Sequence, residues 1–307
     1  MTSSRPGSIA FLGLGLIGGS IARALAAGAD RSPGRARTRV SAWSPDGRGP
    51  NLALDEHVID SVAAGPAEAL EGADLVVIAA PPLATLELIE RLGGDLRGSL
   101  DRGAVVTDIA STKTAVMGAA ERAGIPFVGG HPMAGRESSG YAASSAERLR
   151  DRPWVVVVPP GADPGLAGPV RWLASACGAR PIDLDAASHD AAVAAISHLP
   201  LLASVALVEA VAGSEARARS WPLVRMLAAS GWDGMTRLAR GDPRMGAGIA
   251  ATNATAIVDE LRAYRAAIDA WIEALETTGD EVPNVAALER RLAAARAILE
   301  DSEGGSS

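Results

Sequence analysis

Along the first 185 positions, short β-prone runs at residues 9–12, 39–43, 75–79, 104–108, 126–130, 154–159 and 180–183 alternate with longer stretches rich in Ala, Leu, Glu and Arg. That alternation predicts a parallel sheet wrapped by helices. After Asp185 the strand signals stop, and the remainder carries Ala, Leu and Arg at helical spacing, with breaks predicted at Pro222, Gly231, 241–243 and Pro283. The pattern therefore divides the chain into an α/β part over residues 1–184 and an all-helical part over 185–307. One run, 191–212, is apolar over about the length a bilayer requires. His198, Pro200 and Glu209 interrupt it, and there is no second such run, so a helix buried in a helical domain or a dimer core is expected, not a membrane span.

Composition narrows the function classes. The 307 residues are 48% apolar, enough for two cores, and carry a net charge of −7 with the cations scattered. Nucleic acid is thus not an expected partner. A single cysteine, Cys177, leaves neither an internal disulfide nor a cysteine metal cluster, and its apolar neighbours suit a buried small residue; no metal site is expected. The N-terminus lacks the pattern of an export signal, which makes the cytoplasm the expected location.

The run Phe11-Leu12-Gly13-Leu14-Gly15-Leu16-Ile17-Gly18-Gly19-Ser20 puts G-x-G-x-x-G directly after a strand and at the start of a helix. Gly13 permits the tight turn, Gly15 lets backbone approach a pyrophosphate, and Gly18 lets helix and strand pack closely. The α/β part is therefore expected to be a Rossmann-type dinucleotide-binding domain, contacting its cofactor through Gly13, Gly15, Leu16, Ile17 and Gly18. The second strand ends Trp43-Ser44-Pro45-Asp46-Gly47-Arg48. Ser44 stands where an acid for the adenosine ribose is usual, Arg48 is placed to reach a 2′-phosphate, and Asp46 to serve the ribose, so NAD and NADP both stay open. Ala80 and Pro81, after the third run, either wall the nicotinamide half or form an ordinary loop.

Three islands carry candidate chemistry. Ser111, in Asp108-Ile109-Ala110-Ser111-Thr112-Lys113, either holds a substrate or catalytic partner or caps the next helix. Lys113 is the only lysine in the chain, which suggests a site needing a compact ammonium, not a planar fork. In Gly129-Gly130-His131-Pro132-Met133-Ala134-Gly135-Arg136-Glu137-Ser138-Ser139-Gly140, the imidazole of His131 is the candidate base. Further on, His198 in Ile196-Ser197-His198-Leu199-Pro200 needs a partner within an apolar helix, His189 and Asp190 read as that helix's start, and Arg237 suits a carboxylate or the solvent.

Taken together and in order, G-L-G-L-I-G-G-S, D-x-x-S-x-K, G-G-H-P-M-A-G-x-E-x-S-G, I-S-H-L-P and the late T-R resemble the prephenate/arogenate dehydrogenase family over roughly residues 9–257. The resemblance implies a homodimer formed through the helical domain and an NAD(P)-linked oxidative decarboxylation in tyrosine biosynthesis. It implies His131 as the catalytic histidine on the ring hydroxyl, Ser111 as the residue orienting it, and Glu137 as an active-site acid. It also implies substrate contacts from His198 and Arg237, the latter on a carboxylate. Two departures bear on the substrate's side chain: Asp233-Gly234 stand where a base and an acid are expected, and Gly246 replaces a tryptophan. Prephenate is the first expected substrate, with arogenate and an amino-substituted prephenate as alternatives and a dinucleotide-sensing protein as the non-enzyme reading.

Overall fold

Strand β1 (Ser8–Leu12) is buried on both faces, and successive side chains feed two different cores. The computed structural model describes residues 5–28, 37–135, 138–276 and 282–304. Ile9 and Phe11 face one core with Val40, Val77 and Trp154, whereas Ala10 and Leu12 face the other with Val76, Ile78 and Phe127. A strand covered on both sides loses the alternation of apolar and polar residues that a half-exposed strand shows.

The chain continues through α1 (Leu16–Ala27), β2 (Arg39–Trp43), α2 (Arg48–Asp55), β3 (Ser61–Val62), α3 (Pro66–Leu70), β4 (Leu75–Ile78) and α4 (Pro82–Gly93). It then forms β5 (Val105–Asp108), α5 (Thr114–Ala123), β6 (Phe127–Pro132), β7 (Pro153–Val157), α6 (Gly168–Ala176) and β8 (Arg180–Asp183). The sheet order is β3-β2-β1-β4-β5-β6-β7-β8. Helices α1 and α6 cover one face with Ile21, Ala22, Val170 and Leu173, and α4 and α5 cover the other with Leu88, Ile89, Val116 and Ala119.

The sheet departs from expectation in two ways. Ser61–Val62 adds an eighth strand too short to show as a β-prone run. Strand β7 runs antiparallel to β6, because their connection holds only short 3-10 turns and no crossover helix that could return the chain in the parallel sense. The connection is instead strapped to the first helix. Tyr141 donates to Glu56, Arg23 pairs with Glu56 at 2.6 Å and lies over the Tyr141 ring, and Ser145 N–H donates to Ser20 Oγ.

From Ala186 every regular element is helical, as expected: α7 (Ala186–Val193), a π turn over Ala194–His198, α8 (Leu199–Ala212), α9 (Glu215–Met226), α10 (Ser230–Thr236), α11 (Pro243–Thr252), α12 (Ala254–Leu275) and α13 (Val285–Gly304). One predicted break is not a break: Pro222 lies inside α9, which forgoes one hydrogen bond without ending. The break predicted at Gly231 falls just before it, between the end of α9 at Met226 and the start of α10 at Ser230. Helix α7 is capped by Asp185, whose side chain accepts from Ser188 N–H, so Asp190 is not the first-turn acid the sequence suggested.

By compactness the chain divides into residues 1–257 and 258–307. In the second unit, Arg291 lies over the Trp271 ring and donates to the carbonyls of Ala267 and Ala270. Everything described next lies in the first unit.

Candidate active site

The site begins at the glycine turn. Gly13 sits at φ +97°, where a Cβ would stand 2.4 Å from the Ala79 carbonyl oxygen, and a Cβ on Gly18 would stand 2.9 Å from that of Ala79. Gly15 has nothing within 4 Å of where its Cβ would be, so the turn is tight against the sheet and open outward. Helix α1 has no side-chain cap and no acid in its first turn, which leaves the N–H groups of Leu16 and Ile17 for an anion. These residues fit a dinucleotide pyrophosphate. At the end of β2, Ser44 Oγ and Arg48 N–H both donate to Asp46 Oδ1 at 3.2 Å, and the Arg48 side chain is exposed. Ala80, half-buried, gives its carbonyl to Thr85, and Pro81 is exposed at the start of α4.

Strand β5 ends in Asp108, fully buried beside the equally buried Lys113 ammonium. The carboxylate also accepts from Ala110 N–H at 2.8 Å and Gly130 N–H at 3.0 Å. A Cβ on Gly129 would stand 3.1 Å from Lys113 Cδ. A side chain at position 129 would thus press on the lysine stem, and glycine there leaves it room. Burial pulls the Lys113 pKa down, and the neighbouring Asp108 carboxylate opposes that pull.

His131 lies near the carboxyl end of β6, and the glycine turn follows the carboxyl end of β1, which runs in the same direction in the sheet. Its Nδ1 is 2.8 Å from His189 Nε2, and His189 Nδ1 is 2.8 Å from Asp190 Oδ1. Asp190 also accepts from the N–H groups of Lys113 at 2.7 Å and Thr114 at 2.8 Å, where α5 begins. Burial alone would raise the Asp190 carboxyl, but the bonds from His189, Thr114 and Lys113 outweigh it and hold the pKa below the ordinary value. A carboxylate can only accept, so His189 donates to it from Nδ1, and with one proton on the ring its Nε2 is an acceptor. His131 must then donate from Nδ1, which leaves its Nε2 lone pair with no partner among the described residues. Burial pushes His131 well below the ordinary histidine pKa, with His189, Lys113 and His198 adding to the effect and Asp190 opposing it. The result is a neutral imidazole with a bare Nε2.

His198 ends the π turn and is 1% exposed, whereas Ile196 two residues earlier is 70% exposed. Its Nδ1 lies 3.2 Å from Asn253 Nδ2, which also donates to the Asp190 main-chain carbonyl at 2.8 Å. His198 Nε2 is buried without a partner among the described residues. Burial pushes the His198 pKa down to about 4, with Asp190 opposing and His189 adding to the effect.

These two buried imidazoles set an acid limit on stability. Both have folded pKa values below the ordinary 6.5, so their contribution is complete above pH 6.5 and is lost as the unfolded chain takes up protons first. For His198 the loss runs from about pH 6.5 to about 4 and amounts to at most about 3 kcal/mol. Urea midpoints should fall over this window, and His198→Gln should flatten that dependence; a parallel slope in the variant would contradict it.

The expected residues are distributed as follows. His131, His198 and the end of β5 come together through His189, Asp190 and Asn253, none of which was singled out for the site. Ser111 is half-exposed after β5; it does not cap α5, whose first N–H groups are taken by Asp190. His131 Nδ1 is engaged by His189. Arg237 is exposed at the end of α10, on a segment held to α8 by the Ala239 N–H bond to Ser204 Oγ. Glu137 lies outside the described residues. The signal that could have exposed the missed pair is two consecutive ionisable residues, His189 and Asp190, in an Ala-rich apolar stretch.

The helix over Ala186–Ala212 is long and apolar enough to cross a membrane by length and composition. Yet His189, Asp190 and His198 all lie on it, and the first two bond to residues of β6 and α5.

Residues 28–179 match the family model described as prephenate dehydrogenase, nucleotide-binding domain, and residues 185–288 match prephenate dehydrogenase, dimerization domain. A prephenate dehydrogenase of Bacillus subtilis is 30% identical over 88% of this chain and 68% of its own length. A cyclohexadienyl dehydrogenase of Zymomonas mobilis is 30% identical over 82% of this chain and 83% of its own. The crystal structure of Synechocystis arogenate dehydrogenase superposes with a TM-score of 0.70 at 28% identity, covering 97% of this chain and 98% of that one. With the glycine cradle, the His131 imidazole and both halves of the family model present in one order, the chain belongs to the prephenate dehydrogenase family.

Proposed function

We propose that this protein catalyses the NAD(P)-linked oxidative decarboxylation of prephenate to 4-hydroxyphenylpyruvate, a step of tyrosine biosynthesis, with His131 as general base. As a member of its family the chain is an NAD(P)-dependent dehydrogenase. The observation that carries the proposal is the bare Nε2 of His131, held by the His189–Asp190 chain at the carboxyl end of the sheet, where the glycine cradle also lies.

The substrate's ring hydroxyl donates to His131 Nε2. When bound in the cradle, the dinucleotide supplies the acceptor for a hydride from the ring carbon bearing that hydroxyl. As proton density moves to Nε2, His131 becomes cationic, and its Nδ1–H, through His189, meets the Asp190 carboxylate. Loss of carbon dioxide leaves its bonding electrons to the ring, which aromatises and recovers the proton on oxygen. The chain positions and polarises; no covalent intermediate is needed.

Arg237 is the proposed clamp for a substrate carboxylate, with Ser111 and Glu137 the proposed further contacts. Arg237→Ala should raise the substrate KM on the order of tenfold or more with kcat changed less; unaltered kinetics would leave it a surface residue. The cofactor contacts proposed are Gly13, Gly15, Leu16, Ile17, Gly18, Ser44, Arg48, Ala80 and Pro81. The functional division proposed is residues 1–184 for the dinucleotide and 185–307 for substrate and dimerisation, in line with the limits of the two matched models. A homodimer through the helical part is supported by Met226 and Leu227, 81% and 79% exposed on the single chain. We place the protein in the cytoplasm.

A second reading is favoured by Asp233, Gly234 and Gly246, which depart from the family pattern near the substrate's side chain. On that reading arogenate or an amino-substituted prephenate is preferred. Reduction of NAD and of NADP, followed at 340 nm with each of the three substrates, tests both. Turnover with prephenate supports the first reading, a strong preference for an amino-bearing substrate the second, and silence throughout overturns both.

A further inference from the structure

The buried Nε2 of His198 has no partner among the described residues, as is also true of Trp154 Nε1, whereas His131 Nδ1, both nitrogens of His189 and His198 Nδ1 each have one. Its meaning depends on which nitrogen carries the proton. A neutral imidazole has one N–H, and at working pH His198 is neutral, because burial holds its pKa near 4 against the nearby Asp190 carboxylate.

The neighbouring amide settles the choice. Asn253 lies between the main-chain carbonyl of Asp190 and His198 Nδ1. A carbonyl only accepts, so the amide must turn its NH2 group toward Asp190, and it is that same nitrogen that reaches His198. One hydrogen goes to Asp190 O at 2.8 Å and the other to His198 Nδ1 at 3.2 Å. With Nδ1 occupied as an acceptor, the His198 proton is on Nε2. A buried donor is thus held ready with nothing among the described residues to receive it.

We infer that Asn253 is a positioning residue: it fixes His198 as an Nε2–H donor for an acceptor oxygen of the substrate, and ties that donor to the Asp190 end of the His131 relay. The occupant, a carboxylate or carbonyl oxygen, rests on the dehydrogenase reading above; the tautomer does not. The chemistry is selective, because a buried neutral N–H favours an oxygen acceptor over an ammonium, which has only hydrogens to offer it.

The first test needs no substrate. Long-range proton–nitrogen correlation spectra of the full-length 15N-labelled protein at neutral pH report the tautomer of each of the four histidines, and His198→Gln identifies its signals. Wild type should show His198 protonated on Nε2 and bare on Nδ1; the opposite pattern overturns the inference. Asn253→Leu, similar in volume but without a donor, should give a mixture of tautomers. It should raise the substrate KM on the order of tenfold while leaving the dinucleotide KM in place. Unchanged tautomer and KM in this folded variant also overturn the inference. If the variant does not fold, the wild-type spectrum, recorded with and without substrate, decides: bound substrate must shift the Nε2–H resonance, and a resonance that stays put means that water is its partner. Absence of turnover in wild type would overturn the dehydrogenase reading while leaving the tautomer result intact.

Discussion

Replacing His131 with alanine lowers turnover on the order of a hundredfold or more, while the dissociation constant for the dinucleotide stays where it was. The two effects separate because the imidazole sits in β6 and the cradle is built from main chain between β1 and α1. Steady-state rates, together with fluorescence titration of the reduced dinucleotide, check both halves; an unchanged rate removes His131 from the mechanism. The pH profile carries a second signature. Since burial keeps the His131 pKa well below the ordinary 6.5, kcat/KM should stay level through pH 6.5 and fall only in more acid solution. A fall centred at pH 6.5 or above would point to another base.

Lys113→Met destabilises the fold by about 3–5 kcal/mol, an effect read as a lowered urea midpoint. The lysine contributes no group to the cleft, so the loss comes from the carboxylate it leaves behind. Asp108 keeps its bonds from Ala110 and Gly130 N–H but loses the Lys113 ammonium while staying fully buried. The companion variant Lys113→Met/Asp108→Asn removes the stranded charge and should recover most of the loss. A double variant no more stable than the single one would show that the ammonium matters for packing, not for charge. Lys113→Arg should not rescue, because Gly129 is already close to the lysine stem.

Much of this was legible in the sequence for local reasons. The glycine cradle is legible because Gly13 and Gly18 answer to backbone constraints that no other residue meets, and such constraints leave a fixed spacing. His131 is legible because an imidazole among glycines at a strand end has few structural uses. The reversal of β7 is not, since it depends on what the connection from β6 lacks. Pro222 marks a break by propensity, yet tertiary context carries helix through it. Asp190 and Asn253 were hidden for a different reason. Each looks like an ordinary helix residue until the sheet is assembled, and only then do its partners, 77 positions away for Asp190 with Lys113 and 55 for Asn253 with His198, come within reach.

The proposed base draws on both matched regions of the chain. His131 lies in the region matched by the nucleotide-binding model, and the His189–Asp190 pair that sets its tautomer lies in the region matched by the dimerization model. A hybrid joining this sheet to a relative's helices therefore inherits a working imidazole only if the donor supplies a histidine and an aspartate in the same register. The boundary between the two matched regions is thus a poor place to exchange parts: a cut there separates His131 from the His189–Asp190 pair to which it is hydrogen-bonded.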